Sequence, residues 1–340
     1  MQVPHARGPI SATVGSWLRS ETTIRPAGLL DTVDGLDLDP LVDDDLQITL
    51  WMLYELHYGG FDDVDDRCEW SPELLTVRQR LESRFERSLR EDTARSVAGM
   101  HDAADDVAAR LFAFVDAAES APLANHLQRT ADREQAREFL VHRSIYQLKE
   151  ADPHTWAVPR LVGQPKVSLV ELQFDEYGAG RLDRQHARLF ADALAACDLD
   201  PTYGGYVDVV PAVTLALSNL VSMFGLHRRL RGAAMGHLAA FEATSSLPAR
   251  RIAMGLRRLG LPGAAALYFD EHIEADAVHE QVAMRDICAA MVAQDATMLP
   301  DIVFGAAACL HLDERSGRHL LDRWAAGTSS LEDASLAVPA

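Results

Sequence analysis

Cysteine is scarce in this chain, and the cysteines that occur are far apart. The four are Cys68, Cys197, Cys288 and Cys309, and no two of them form a Cys-x-x-Cys pair. The sequence therefore offers neither a disulfide framework nor a thiolate zinc site. We expect these cysteines to be reduced and to serve in packing.

Basic residues are few relative to acidic ones. The chain has 32 Lys and Arg against 51 Asp and Glu, which gives a formal net charge of -19. Such a protein would be repelled by a phosphate backbone, so we expect no nucleic-acid partner.

Signals for export and for membrane insertion are also missing. No early segment joins a basic start to an apolar run, and no apolar stretch reaches the roughly 20 residues that a membrane span needs. We therefore expect a cytoplasmic protein with no membrane partner.

Strand signals are almost absent, whereas helical periodicity recurs along the chain. The prediction is an all-α fold with one helical domain over 44–328. Residues 1–43 contain Gly, Pro and a run of aspartates, which predicts an irregular acidic N-terminal arm. Residues 329–340 are predicted to form a C-terminal tail. The predicted helices of the second half include 160–178, 182–197, 229–244, 247–259, 263–293, 299–311 and 313–326.

The segment YFDEHIEADAVHEQ contains the first candidate metal ligands. His272, Asp276 and His279 follow one another at steps of four and three residues, which places them on one face of a helix. The same segment is otherwise rich in apolar residues. Since buried imidazoles and carboxylates are costly unless they are paired or bound to metal, this face predicts a metal site.

A second segment repeats the pattern. Glu176, Asp183 and His186 would share one broad side of a helix, and Asp183-x-x-His186 has the same spacing as Asp276-x-x-His279. Gly178 and Gly180 lie between them and favour a bulged or unwound helix at that point.

Two carboxylate-x-x-His pairs are typical of helical di-metal proteins, in which further glutamates come from other helices. Glu176 can take one such place. Glu150 and Glu55 compete for the other, because both lie at the ends of apolar helical stretches. Seven oxygen and nitrogen ligands without a thiolate suit two metal ions, and iron suits oxygen chemistry.

These residues resemble the haem-oxygenase-like diiron oxidases and oxygenases, also called the iron-containing redox enzyme family. The matching stretches occur in family order over most of 45–295. They are LYELHYGGF around Glu55, EADPHTWAVPRL from Glu150, DEYGAGRLDRQH from Asp175, FEATSS from Phe241 and EHIEADAVHEQ from Glu271.

The resemblance implies a haem-oxygenase-like helical bundle without haem, commonly a homodimer, that holds two iron ions on three core helices. It also implies dioxygen as co-substrate and an external reductant. The ligand pattern carries over to Glu150, Glu176, His186, His272, Asp276 and His279, which decides against Glu55.

Asp183 occupies the position of a seventh carboxylate that this family associates with amine N-oxygenation. The resemblance therefore implies N-oxygenation of a primary amine, on an amino acid, in specialised-metabolite biosynthesis. Two alternatives stay open: desaturation or oxidative C–C cleavage of an amino or fatty acid by the same iron pair, and a ferritin-type iron-binding protein.

The ligand prediction can be tested by metal content. Replacing Asp276 or His279 by Ala should reduce anaerobic Fe(II) loading from two ions per chain to one or none, because each change removes a ligand. Iron per chain is measured after removal of unbound metal. Full loading in both variants would contradict the assignment.

Overall fold

The computed structural model describes residues 1–100 and 106–332, and every regular element in those ranges is helical. The all-α prediction is confirmed. In chain order the α-helices are α1 (Pro9–Leu18), α2 (Leu29–Asp34), α3 (Asp44–Glu55), α4 (Pro72–Ala98), α5 (Val107–Asp116), α6 (Leu123–Arg129), α7 (Arg133–Gln147), α8 (Asp152–Thr155), α9 (Gly163–Glu176), α10 (His186–Ala196), α11 (Ala212–Leu226), α12 (Arg231–Arg258), α13 (Gly263–Gln281), α14 (Ala290–Gln294) and α15 (Leu299–Ala325).

Helix α12 is the centre of the bundle, and it packs against α13, α15 and α6. Its crossing with α15 is unusually close. A Cβ atom at Gly236 would overlap the carbonyl oxygen of Ile302, and one at Gly305 would overlap the carbonyl oxygen of Ala233. The two backbones touch because both helices present glycine at the crossing.

The N-terminal region is more regular than predicted. Helix α1 begins where the carboxylate of Asp45 accepts hydrogen bonds from the backbone N–H groups of Ile10 and Ser11 at 2.8 and 2.7 Å. Val14 and Trp17 on that helix are buried. The prediction of an irregular arm over 1–43 is therefore wrong for α1 and α2. The limits of the main domain, 44–328, stay a prediction.

Several helix boundaries also differ from the prediction. The segments 229–244 and 247–259 form the single helix α12, which continues through Pro248, and 299–311 and 313–326 form the single helix α15. The predicted helix 263–293 is interrupted by a π-helix, Val282–Ala289. These helix boundaries therefore follow the packing of the bundle and not the local sequence signals from which they were predicted.

One stretch in the described part of the chain, Ala296–Ala325, is long and apolar enough by composition to cross a membrane. This corrects the expectation that no segment reaches that length. In the fold, 56% of its most apolar 18-residue segment is buried. Because a core helix has the same composition, the stretch is weak evidence for a membrane span.

The close helix crossing predicts a sharp difference between two glycine substitutions. Gly305→Ala should lower the free energy of unfolding by about 1–3 kcal/mol, because α12 and α15 must move apart. Gly263→Ala, at an open position, should be neutral or stabilising by up to about 1 kcal/mol, since Ala favours helix. Chemical denaturation measures the free energy of unfolding of both variants. Equal values would contradict the close contact between α12 and α15.

Candidate metal centre

Four side chains from separate elements meet in the core. Glu150 follows α7, Glu176 is the last residue of α9, His186 is the first residue of α10, and His272 lies within α13. All four are buried, and one ligand atom from each lies within 4.8 Å of the others. This first group thus contains four of the seven predicted ligands.

A second group adjoins the first. Glu176, Glu242 and His279 offer ligand atoms that also lie within 4.8 Å of one another, and all three are buried. Because Glu176 belongs to both groups, the two candidate ion positions are neighbours. A small cavity between the groups is lined by Glu150, Glu176, Glu242 and His272, among others.

The ligand atoms face one another at short distances. His186 Nδ1 lies 2.8 Å from Glu176 Oε2, and His272 Nε2 lies 3.3 Å from Glu150 Oε1. His279 Nδ1 lies 3.4 Å from Glu176 Oε1 and 3.5 Å from Glu242 Oε2. Glu176 therefore faces a histidine with each of its two oxygens, as a bridging carboxylate would face two ions.

Burial and opposite charges act against each other in this cluster. Burial lowers the pKa of His186, but the charge of Glu176 and the facing carboxylates raise it to about 11. Burial likewise lowers the pKa of His279, but the facing carboxylates Glu176 and Glu242 raise it to about 11. Burial raises the pKa of Glu242. Without metal, protons thus hold the cluster together.

Residues around the cluster orient its ligands. The Tyr268 hydroxyl donates to Glu150 Oε2 at 2.6 Å, and the backbone carbonyl of Tyr268 lies 2.7 Å from His272 Nδ1. The outer nitrogen of His279 lies 3.5 Å from Asp175 Oδ2. A carboxylate or carbonyl on the far nitrogen is typical of metal-binding histidines.

Unsatisfied atoms show that the cluster fits metal ions. Glu150 Oε1, His186 Nδ1 and His279 Nδ1 are buried, yet within the described ranges none of them has a hydrogen bond of acceptable geometry. Buried polar atoms are normally paired, so atoms that converge without pairing are those that an ion would satisfy. Carboxylate and imidazole donors suit iron.

The backbone at Gly178 explains why Glu176 and His186 meet. Gly178 has a φ of +69°, and a Cβ there would lie 2.5 Å from the backbone nitrogen of Gln185. Only glycine allows this turn, which ends α9 and starts α10 in a new direction. The expectation that Glu176, Asp183 and His186 share one helical face is therefore wrong, whereas the break predicted at the glycines is confirmed.

Asp183 is not brought into the cluster. Its side chain is 70% exposed, and its Oδ2 accepts a hydrogen bond from Arg181 Nη2 at 2.8 Å. The helical spacing that placed it beside Glu176 and His186 does not apply, because the chain between α9 and α10 is not a continuous helix. Asp276 lies in α13, but its side chain is outside the described part of the structure.

Glu242 was missed in the sequence. It lies in GHLAAFEATSS on α12, where it is the one acidic residue in a stretch of mostly apolar and small residues. The cost of burying an unpaired carboxylate, which drew attention to Glu55, applies equally here. The missing signal was a histidine at helical spacing, since its partner His279 lies on another helix.

Glu55 is buried for a different reason. Its carboxylate forms an ion pair with the buried Lys149 and accepts a hydrogen bond from the Tyr203 hydroxyl at 2.6 Å. The Lys149 ammonium also lies 4.3 Å from the centroid of the Tyr58 ring. The pair compensates its own charge, so the competition between Glu55 and Glu150 ends in favour of Glu150.

Comparison with known proteins agrees with this geometry. A family model described as iron-containing redox enzyme matches residues 137–314, a range that contains all of the clustered side chains. The chain belongs to this family of iron-containing redox enzymes. It is thus an oxidoreductase whose buried His and Glu cluster is compatible with iron.

The chain is similar to the crystal structure of a CADD-like protein of unknown function from Nostoc punctiforme, with 18% identity and a TM-score of 0.46 over 70% of this chain and 98% of the other. No curated protein matches.

The raised pKa values predict that metal binding releases protons. His186 and His279 are protonated at neutral pH without metal, and only their neutral forms can bind an ion. Binding of Zn(II) or anaerobic Fe(II) should therefore release at least one proton and should tighten as pH rises. Titration in weak buffer with a pH indicator measures the release.

The variant His279→Ala serves as the control, because it should release fewer protons per chain than the unaltered protein. Affinity that does not change with pH across the neutral range, together with no proton release, would contradict the electrostatics described above.

Proposed function

We propose that the chain is a non-haem diiron oxygenase that oxygenates the nitrogen of a primary amine of the amino-acid class. Dioxygen is the co-substrate and an external reductant supplies electrons. The observation that carries the proposal is the pair of ligand groups sharing Glu176. We further propose that the protein is a homodimer, as the family resemblance implies, and that it is cytoplasmic, as expected from the sequence.

In this proposal each ion has its own protein ligands. Glu150, His186 and His272 would hold one ion, Glu242, Asp276 and His279 would hold the other, and Glu176, which faces both groups, would serve both ions. A bound iron pair would supply the electrons and the open positions needed to activate dioxygen.

The surrounding side chains fix the geometry and limit access. Tyr268 holds Glu150 through its hydroxyl, and Asp175 faces the outer nitrogen of His279. Phe139, Phe241 and Phe269 line the adjoining cavity. An apolar wall beside the ligands keeps bulk water from the reacting atoms.

An additional carboxylate supports N-oxygenation over other reactions. The family resemblance associates amine oxygenation with a seventh carboxylate three residues before the histidine of the second segment, His186. Asp183 was predicted for that place, but Glu242 is the additional carboxylate that faces the cluster. We propose that Glu242 takes this role in the present chain.

The apolar cavity beside His272 favours a second candidate, which is desaturation or oxidative C–C cleavage of an aliphatic acid. Its walls include Leu217, Ile252 and Leu310 in addition to the aromatic residues. Such a cavity suits an alkyl chain as well as an amine.

Product analysis with isotopically labelled dioxygen tests the proposal. Protein loaded with Fe(II) should place labelled oxygen on the nitrogen of an amine. An alkene or a shortened acid without oxygenated nitrogen would support the second candidate instead. Iron oxidation without any organic product, over a broad panel of amines and acids, would indicate a ferritin-type role.

Two isosteric variants test which carboxylate matters. Glu242→Gln should lose one iron ion per chain and reduce product formation roughly 10- to 100-fold, as loss of a ligand or its partner does. Asp183→Asn should retain both iron and product, because its carboxylate faces solvent. If activity is lost only in Asp183→Asn, the seventh carboxylate ligand is Asp183 and not Glu242.

A further inference from the structure

The cavity beside the cluster has two chemically different ends. It offers about 120 Å³ of space to water-sized molecules, and at its inner end it is lined by Tyr268 and His272 of the metal centre. The same cavity is lined by Arg143 and Asp313, whose side chains are 25% and 52% exposed. It therefore runs from the buried ligands towards a charged pair at the surface.

Between these ends the walls are mainly apolar. The apolar lining residues include Phe139, Leu217, Phe241, Ile252 and Phe269. An uncharged hydrocarbon segment would be favoured in this middle part, whereas an unpaired charge would be expensive.

Arg143, at the outer end of the cavity, has N–H donors that are not used in hydrogen bonds among the described residues. Its guanidinium lies 5.5 Å from the centroid of the Phe139 ring, and Nη2 donates to Asp313 Oδ1 at 3.2 Å. That is its one hydrogen bond within the described ranges. Since a guanidinium carries five N–H donors in a planar fork, several remain for a carboxylate.

The chain between Arg143 and Glu150 indicates the distance between the two ends, because Glu150 faces His272 at the inner end. Arg143 lies in α7 and Glu150 lies in the turn that follows this helix, so seven residues at roughly 1.5 Å each separate them by on the order of 10 Å. A fully extended chain advances roughly 3.5 Å for every three bonds, so on the order of eight to nine bonds would span that distance.

Resting on the proposed function, we propose that the substrate is an amphipathic amino acid whose carboxylate is bound by Arg143. Its apolar chain fills the cavity, and its reacting amine lies at the inner end beside His272. Asp313 holds the guanidinium of Arg143 in place. Arg143 is thus a specificity-determining residue that lies far from the reacting atoms.

The test compares ω-aminooctanoate, octylamine and ω-aminobutanoate on the Fe(II)-loaded protein without oxygen, so that binding is measured by calorimetry in the absence of turnover. Aminooctanoate should bind about tenfold or more tightly than octylamine, because a charge-assisted hydrogen bond is added. Aminobutanoate should bind weakly, because it is too short to reach both ends.

Matched variants assign the effect to Arg143. Arg143→Gln should remove the advantage of aminooctanoate and leave octylamine binding unchanged, and Arg143→Lys should restore part of it. Arg188→Gln makes the same charge change on the exposed side of α10, away from the cavity lining, and should change neither affinity. Thermal melting confirms that each variant is folded.

The outcomes separate this inference from the proposed function. Equal affinities for octylamine and aminooctanoate, or equal losses for both in Arg143→Gln, would overturn the carboxylate subsite even if amines are N-oxygenated. Arg143-dependent binding of aminooctanoate followed by no oxygen transfer to nitrogen would support the subsite and reject N-oxygenation.

Discussion

Three glutamates and three histidines are buried together between α7, α9, α10, α12 and α13, and their charges can be tolerated only because they face one another. Isolated in a helical core, each would cost several kcal/mol. Facing in pairs, they raise the pKa values of His186 and His279 and lower those of Glu150 and Glu176, which burial alone would raise. The same arrangement prepares the site for cations, since an ion can replace the shared protons.

A buried charge is not by itself a sign of a metal site, and one helix end shows the contrast. Lys149 and Glu150 are consecutive residues after α7, and both are buried. Lys149 lies against Glu55 and three aromatic rings, where the charges cancel. Glu150 lies against two histidines with an oxygen that makes no hydrogen bond among the described residues. What distinguishes Glu150 is that its carboxylate faces imidazoles, which are themselves metal-binding groups, whereas the carboxylate of Glu55 faces a lysine.

The fold supports this site by bringing backbones very close together. Gly236 and Gly305 let α12 and α15 touch, which fixes the helix that carries Glu242. Gly178 lets the chain turn sharply between α9 and α10, so that the end of one helix and the start of the next both point at the cluster. In each case glycine is required because a Cβ would meet backbone atoms, which cannot move aside as a flexible side chain can.

The sequence by itself determined the all-α class, the shared helix of His272 and His279, and, through resemblance, the choice of Glu150, Glu176 and His186. Those features depend on local periodicity and on motifs that lie within short stretches. Only the tertiary structure decided that Glu242 joins the cluster and that Asp183 faces solvent. Both depend on how separate helices pack and where a helix breaks, and spacing along one helix carries no information about either.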